Sequence, residues 1–480
     1  MNPFPQTRVH PRRPLIWSAA ASVLFMFALA GAILIGPRGP EPPLAFLLGV
    51  PAAWLMLRGI RWAVRALDNS DLFSPFVAFP LAYVLWFGFG SIAIVDDSDP
   101  LPYGYIAGGL VCYLVGVWCF RSRGAEACAS DNKSVRSDWD PGAFWTLIVL
   151  MSALSFTTYL YLIYHIGIPA LSSAAGEQRL EIVKHGPVQA VLFTSVWTVT
   201  VFLAVHLRKG ESCGWKRWIS LALIVVLSVL LLSLGGRANA FVGLLTGFIA
   251  CYYVGPRFKL RYLLPIGALT FVCLSLYGYM RDTSLTKGYL ALGAGDSAYE
   301  MALPLYYSYE YVRGPSETFR NVTQLIPSQV PYQYGALTFA ALKTVLPGHH
   351  EMSDMFFKSI QGHEFIGLGE PATLLGPFYG DFGVLGIVIG MFLFGALWAK
   401  VHRWMLADPT IFRAAIYGWF MQTALFSLFG SLFQYITALW IPLFWFFADS
   451  LIRRRTGQTV LTRMRGRGPD SEGALGARAV

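Results

Sequence analysis

The sequence predicts an all-α polytopic membrane protein, and three observations carry that reading. Apolar residues make up 55% of the 480 positions and charged residues 13%, against about a quarter charged in an ordinary soluble chain. The apolar residues gather into about twelve runs, each close to the ~20 residues that cross ~30 Å of hydrocarbon. Basic residues then collect in alternate connections between those runs, which is the pattern that orients helices in a bilayer. The mean hydropathy of +0.52 agrees, and 15 Trp and 35 Phe suit a lipid-facing surface with interfacial rings.

Taken in order, the expected spans are 15–35, 43–60, 76–95, 103–120, 143–165, 187–206, 217–234, 238–255, 261–280, 382–399, 411–430 and 434–452. The first follows RVHPRR and is longer than a signal-peptide core, so it reads as a retained anchor. The second is interrupted by Pro51 and ends at Arg58. Even-numbered connections hold Arg58, Arg61 and Arg65, then Arg121, Arg123, Lys133 and Arg136, then Arg208, Lys209, Lys216 and Arg217. Arg257, Lys259 and Arg261 follow, then Lys400, Arg403 and Arg413. Odd-numbered connections read PRGPEPP, DDSDPLPYG, IPALSSAAGEQRLEIVKHG and GGR. Both termini therefore fall on the basic, cytoplasmic side, and the polar stretch 281–381 faces outward as one large extracytoplasmic loop. The expected organisation is a nine-helix region over 1–280, the loop over 281–381, a three-helix region over 382–455 and a basic tail over 456–480.

Composition excludes several classes. A net charge of +10 could serve nucleic acid, but the basic residues sit in short clusters beside apolar runs. The tail RRRTGQTVLTRMRGRG reads as an anchor at anionic lipid, so no nucleic-acid partner is expected. Cys112, Cys119, Cys251 and Cys273 lie in apolar runs and Cys128 and Cys213 in connections. They show no CxxC or metal spacing, so neither a disulfide framework nor a Cys-based metal site is expected.

Candidate chemistry concentrates around 281–381. Arg237 stands in LLLSLGGRANAF, where Gly235 and Gly236 permit a sharp reversal between two spans. An arginine there must snorkel, pair or face a polar site. Arg281 ends the ninth run beside Asp282. The segment YYSYEYVRGPSETFRN holds four tyrosines with Glu310, Arg313, Glu317 and Arg320. Such a mixture suits sugar stacking and hydroxyl recognition, or equally an interfacial aromatic belt. In GALTFAALKTVLPGHHEMSDMF, Leu337, Ala341, Leu342 and Val345 share one helical face, which predicts a short interfacial helix ending before Pro347. His350, Glu351 and Asp354 form HExxD, a relative of the zinc-protease HExxH, with Asp in place of the second His and no third ligand defined. A polar loop is the better reading, and no metal is expected. His349, His350 and His363 titrate near neutrality and could move a proton. Around HEFIGLGEPATLLGPFYGDFGVLG, His363, Glu364, Glu370 and Asp381 stand where the chain re-enters the membrane. Asp381 could instead be an N-cap for the helix from Phe382. Gly376, Gly380, Gly383 and Gly386 suit close helix packing.

Three stretches carry a resemblance. They are the turn Gly235-Gly236-Arg237-Ala238-Asn239, the loop stretch from Tyr334-Gly335-Ala336-Leu337-Thr338 to Leu346-Pro347-Gly348, and the run from Pro371 to Gly386. The chain resembles the bacterial oligosaccharide repeat-unit polymerases, the O-antigen polymerase (Wzy-type) family. The motif similarity covers about 230–390. The resemblance implies a GT-C-like, metal-independent membrane glycosyltransferase that needs no cofactor. It would join polyprenyl-diphosphate-linked oligosaccharides at the outer face of the bacterial cytoplasmic (inner) membrane, into O-antigen, capsule or exopolysaccharide. A chain-length regulator and a flippase are the implied partners. By motif, Arg237 would contact the lipid diphosphate; Arg281, Arg313 and Arg320 follow by loop position, with Tyr379 a further substrate contact. Glu370, His363 or Asp381 would supply the base, with Glu370 and His363 ranked first. An O-antigen ligase would use the same chemistry on another acceptor. A lipid-linked glycan transporter is the reading from another class, and it should place charges or broken helices near the midplane.

Overall fold

The computed structural model describes residues 71–91, 101–120, 139–169, 185–210, 214–234, 237–255, 303–343, 353–362, 371–431 and 437–453, with isolated positions between. These residues are helical, with two isolated bridges (Trp139 with Arg453, Thr373 with Gly430) and no named strand among them. We number the helices α1 (Ala78–Ser91), α2 (Leu101–Cys119), α3 (Pro141–Ile166), α4 (Gly186–Lys209), α5 (Trp215–Ser233) and α6 (Arg237–Val254). Then come α7 (Leu303–Leu325), α8 (Ala340–Lys343), α9 (Ser353–Ile360), α10 (Leu375–Ala407), α11 (Ile411–Phe426) and α12 (Thr437–Ile452). Five of them (α2, α3, α4, α5 and α10) are long and apolar enough to cross a membrane. Nine of the twelve expected runs coincide with helices outside the 281–381 stretch. The runs at 15–35, 43–60 and 261–280 lie outside the described residues, apart from isolated positions in the last.

Local chemistry explains the helix ends. Asp140 caps α3, accepting from Gly142 N and Ala143 N at 2.9 and 3.0 Å, with Pro141 in the first turn. Gly210 closes α4 in the left-handed conformation. Thr410 caps α11 through the amide of Arg413. Outward residues such as Val149, Leu160, Val225, Leu385 and Leu393 are exposed and apolar, as a lipid-facing surface requires.

Two cores meet in the bundle. One joins α3, α4, α5, α6, α11 and α12, with Phe202, Trp419 and Trp445 at its centre. The other joins α1, α2, α7 and α10, with Tyr113, Phe394 and Trp398. Helices α6 and α11 pack on each other and contribute to both. Within the bundle, hydroxyls act as interhelical glue: Ser155 to Ser195 at 2.8 Å, Trp445 Nε1 to Thr198 at 2.8 Å and Tyr159 to Ser233 at 2.7 Å.

Contacts sort the helix ends into two sets. At one end, Asp71 accepts from Tyr253 at 2.9 Å and meets His402 Nε2 at 3.1 Å. At the same end Trp139 Nε1 donates to Asp449 at 2.9 Å, and Arg453 pairs with Asp449 at 2.6 Å. Arg208, Lys209, Lys216, Arg217, Lys400, Arg403 and Arg413 belong to the helix ends of this set, so it is the basic end. The opposite end gathers the start of α6, the end of α11, helix α7 and the start of α10.

Helix α10 has 33 residues and is broken at Gly383, whose φ of 62° and ψ of −144° are open only to glycine. The helix beyond the break is 384–407, about 36 Å long at ~1.5 Å per residue, with its apolar part ending at Lys400. Of the glycines of the re-entry run, Gly376 lies against Phe357 of α9 as close helix packing requires, and the other three act differently. Gly380 makes room for Leu337, Gly383 for Tyr332, and Gly386 for the backbone carbonyl of Phe378 across the break. The close helix crossing is made elsewhere, by Gly116 of α2 and Gly395 of α10. A Cβ on Gly116 would overlap the carbonyl of Phe392, and one on Gly395 the carbonyl of Tyr113. Gly395→Leu is expected to destabilise the protein by at least about 1–3 kcal/mol through overpacking against backbone, whereas Leu393→Val on the exposed face should be close to neutral. Thermal unfolding of the purified protein in detergent checks both.

Candidate functional site

The described residues from α7 to the start of α10 (303–343, 353–362 and 371–381) form a cap over the end opposite the basic one. Helix α7 is amphipathic. Phe319, Val322 and, just beyond its end, Ile326 are fully buried on one side, where α7 packs mainly on α1. Arg313, Glu317, Arg320 and Gln324 recur at three- and four-residue spacing on the opposite side. Arg313 Nε lies 3.4 Å from Glu317, with both side chains about one-third exposed (31% and 39%). At that exposure the pair contributes little to stability. What matters is the placement of two half-buried guanidiniums on one face of the cap.

The cap is stitched down at the start of α10. Asp381 is completely buried. Its Oδ1 accepts from Leu337 N at 3.0 Å and its Oδ2 from Thr338 N at 2.7 Å. Gln333 N donates to the Gly380 carbonyl at 3.0 Å and Tyr334 N to the Asp381 carbonyl at 3.2 Å. Four hydrogen bonds thus fix 333–338 on 380–381. Asp381 is not an N-cap for the helix from Phe382: α10 begins at Leu375, and the carboxyl oxygens serve the earlier loop. Of the expected interfacial helix, the described residues show α8, Ala340–Lys343, and the continuation toward Pro347 lies outside them. The Leu337 and Thr338 amides just before α8 are taken by Asp381, and Leu342 turns outward while Leu337 and Ala341 stay buried.

Tyr379 adds a second tie. Its hydroxyl donates toward the Ile326 and Thr323 carbonyls at 3.2 and 3.4 Å, at the end of α7. Its ring is buried against Tyr105 and Phe319. Asn321 Nδ2 donates to Gln361 at 2.7 Å, linking α7 to the end of α9. Phe357 of α9 is fully buried and lies beside Gly376. Helix α9 starts at Ser353 with Asp354 in its first turn. Tyr435 donates to that carboxylate at 3.4 Å. His349, His350 and Glu351 lie outside the described residues, as do Arg281, His363, Glu364 and Glu370.

Arg237 opens α6 on the same end as the cap. One turn on, Phe241 packs against Phe426 at the end of α11, 5.9 Å between centroids. Gly430 then pairs with Thr373 and sits against Pro371. The chain of contacts from the start of α6 through α11 to the re-entry segment is therefore short. The structure brings together the elements bearing Arg313, Arg320, Tyr379 and Asp381, and the first turn of α6 connects to them through the end of α11.

Sequence reading missed three features of this frame: the use of both Asp381 oxygens by a loop 43 and 44 residues earlier, the Asp71–Tyr253–His402 tie at the basic end, and a fully buried Gln422 on α11. A glutamine in an apolar run and an acid in a basic connection were the available signals.

The described residues make an all-helical membrane bundle capped at one end by an amphipathic, arginine-bearing segment. Residues 317–428 match the family model described as "Putative O-antigen polymerase". No curated protein and no solved structure matches the chain. The match bears out the resemblance over that segment and supports a role in polysaccharide synthesis. It includes Glu317 and Arg320 of the polar stripe, the loop held by Asp381, the Pro371–Gly386 run and helices α10 and α11; the Gly-Gly-Arg turn lies before it.

Asp381→Ala should leave the Leu337 and Thr338 amides unpaired at about 1–3 kcal/mol each when buried, and so lower the unfolding temperature. Asp381→Asn, which keeps one acceptor oxygen, should lower it less. Hydrogen exchange at 333–338 should rise in both, and unchanged exchange there would count against the clamp.

Proposed function

We propose that this protein polymerises polyprenyl-diphosphate-linked oligosaccharide repeat units into a surface polysaccharide. The observation that carries the reading is the family match over 317–428, because it falls on the cap and on the elements that hold it. The capped end would face outward from the cytoplasmic membrane and the basic end inward, as the positive-inside rule requires.

The chemistry asks little beyond positioning and charge. An acceptor hydroxyl oxygen bonds to the anomeric carbon of the donor. The anomeric C–O bond to the diphosphate breaks, its electron pair leaves with the polyprenyl diphosphate, and the hydroxyl proton passes to a base. Direct displacement inverts the anomeric centre. A diphosphate is already a good leaving group, so fixed guanidiniums that take up its charge supply much of the catalysis. Arginine suits this work because its planar fork donates two hydrogen bonds to oxyanions and keeps its charge. Arg237 takes the diphosphate in this scheme, with Arg281, Arg313 and Arg320 toward the diphosphate and sugars. Glu370 or His363 takes the proton. Asp381 and Tyr379, whose polar atoms are engaged by backbone groups, act as positioning residues that hold the cap. No metal enters the scheme, and a flippase and a chain-length regulator act beside the enzyme.

The transporter reading gains less support. Among the described residues, the buried ionisable groups His206, Asp381 and Asp449 stand toward helix ends, whereas a transport path would call for them near the midplane.

The test is complementation of a deletion strain with polymer length read on a gel. Arg237→Ala should cut elongation about 10²-fold, the scale for losing a charge-stabilising donor, and leave single repeat units, with partial recovery in Arg237→Lys. A normal ladder from Arg237→Ala would remove the central assignment. Retained polymer that is no longer attached to its acceptor would mark a ligase.

A further inference from the structure

We infer that the basic end carries a binding site for one anionic phospholipid, in a cavity between α4, α5 and α6. The cavity has a volume of about 410 Å³. Arg208, near the end of α4, and Arg217, in the first turn of α5, both line it.

Arg208 is built into place. Its guanidinium lies over the Phe258 ring, 4.4 Å from the centroid. The room for it exists because residue 255 is glycine, where a Cβ would stand 2.5 Å from Arg208 Nε. Arg217 is exposed and reaches the cavity from the other wall. Beyond the guanidiniums the lining is apolar, with Leu207, Leu221, Leu244 and Phe248. Along α6 it runs from Leu244 to Cys251, about 10 Å at ~1.5 Å per residue. Leu221 and Leu244 are themselves 40% and 41% exposed, and the apolar surface continues up α5 through Val225 and Val229. Trp215 and Trp218, both exposed, flank Arg217 at the level where indole rings favour the membrane boundary.

The order of groups from the end inward is cation, then apolar wall, then open apolar surface. That matches a phospholipid: a phosphate between two guanidiniums, with acyl chains running along α5 and α6. Basic pockets between spans on the cytoplasmic side recognise anionic headgroups in this way. A soluble anion would leave the apolar wall of Leu207, Leu221, Leu244 and Phe248 without a partner. A zwitterionic lipid would gain the wall, but its own cation would meet the two arginines. The inference does not rest on the proposed glycosyl transfer, and its test reads lipid binding alone.

The purified full-length protein, stripped of lipid in detergent, is titrated with phosphatidylglycerol or phosphatidylcholine, and binding is followed by native mass spectrometry and unfolding temperature. A saturable single adduct and a raised unfolding temperature are expected with phosphatidylglycerol and not with phosphatidylcholine. Arg217→Glu should weaken binding about tenfold or more, since it removes one cation and adds an anion. Leu221→Trp, which fills the apolar wall without changing charge, should also weaken it. Arg403→Glu, at the same end but outside the cavity, should not. Equal binding of phosphatidylcholine would overturn the inference. Equal effects of Arg217→Glu and Arg403→Glu, or full displacement by inorganic phosphate at millimolar concentration, would do the same.

Discussion

Where α10 breaks at Gly383, a carboxyl group with no exposure to solvent receives two backbone amides from a loop more than forty residues earlier. Burying a carboxyl group is costly unless its oxygens are satisfied, and a loop at a membrane surface is costly unless its amides are. Asp381 meets both demands with one side chain. The broken helix turns Asp381 toward the loop, and Gly380 and Gly383 leave space for Leu337 and Tyr332. The loop then holds the end of α7, which Tyr379 also grips. The orientation of the Arg313–Arg320 stripe follows from that clamp together with the Tyr379 and Asn321–Gln361 bonds and the apolar face of α7 against α1.

The two ends of the bundle solve different problems. At the basic end, Asp71, Tyr253, His402, Trp139 and Asp449 tie segments from five parts of the chain through side-chain bonds. Those bonds leave the arginines on the rim, and the cavity between Arg208 and Arg217 opens there. At the opposite end, the Asp381 and Tyr379 side chains bind backbone groups and Asn321 of α7 binds Gln361, while the polar stripe of α7 lies on the side away from its buried face. Between the ends, α2 and α10 cross closely enough to require Gly116 and Gly395. The frame is therefore tight between its ends as well as where the cap is anchored, and in the proposed scheme that tightness would hold charged groups still against a diphosphate.

The bilayer explains how much could be read from sequence. A span must satisfy its backbone internally, so long apolar runs could only be helices, and the runs from 76–95 to 238–255 and from 382–399 to 434–452 lie on helices. The charge alternation likewise sorted the helix ends as the contacts do. Asp381 was visible as a candidate, but its partners were not, because a carboxyl oxygen bound to an amide leaves no mark on sequence spacing. The glycines of the re-entry run were visible too, yet spacing alone could not separate a helix crossing from a helix break. Of the short interfacial helix expected before Pro347, Ala340–Lys343 is helical and the rest lies outside the described residues; the carboxyl group that takes the Leu337 and Thr338 amides ahead of it left no mark on the sequence spacing.

The central claim is that this chain itself forms the glycosidic bond between lipid-linked repeat units. The most direct measurement is incubation of the purified protein in liposomes with a polyprenyl-diphosphate-linked repeat unit, followed by mass spectrometry of the products. The account predicts dimeric and longer lipid-linked oligosaccharides with stoichiometric release of polyprenyl diphosphate. Intact repeat units that only cross the bilayer, with no diphosphate released, would contradict it.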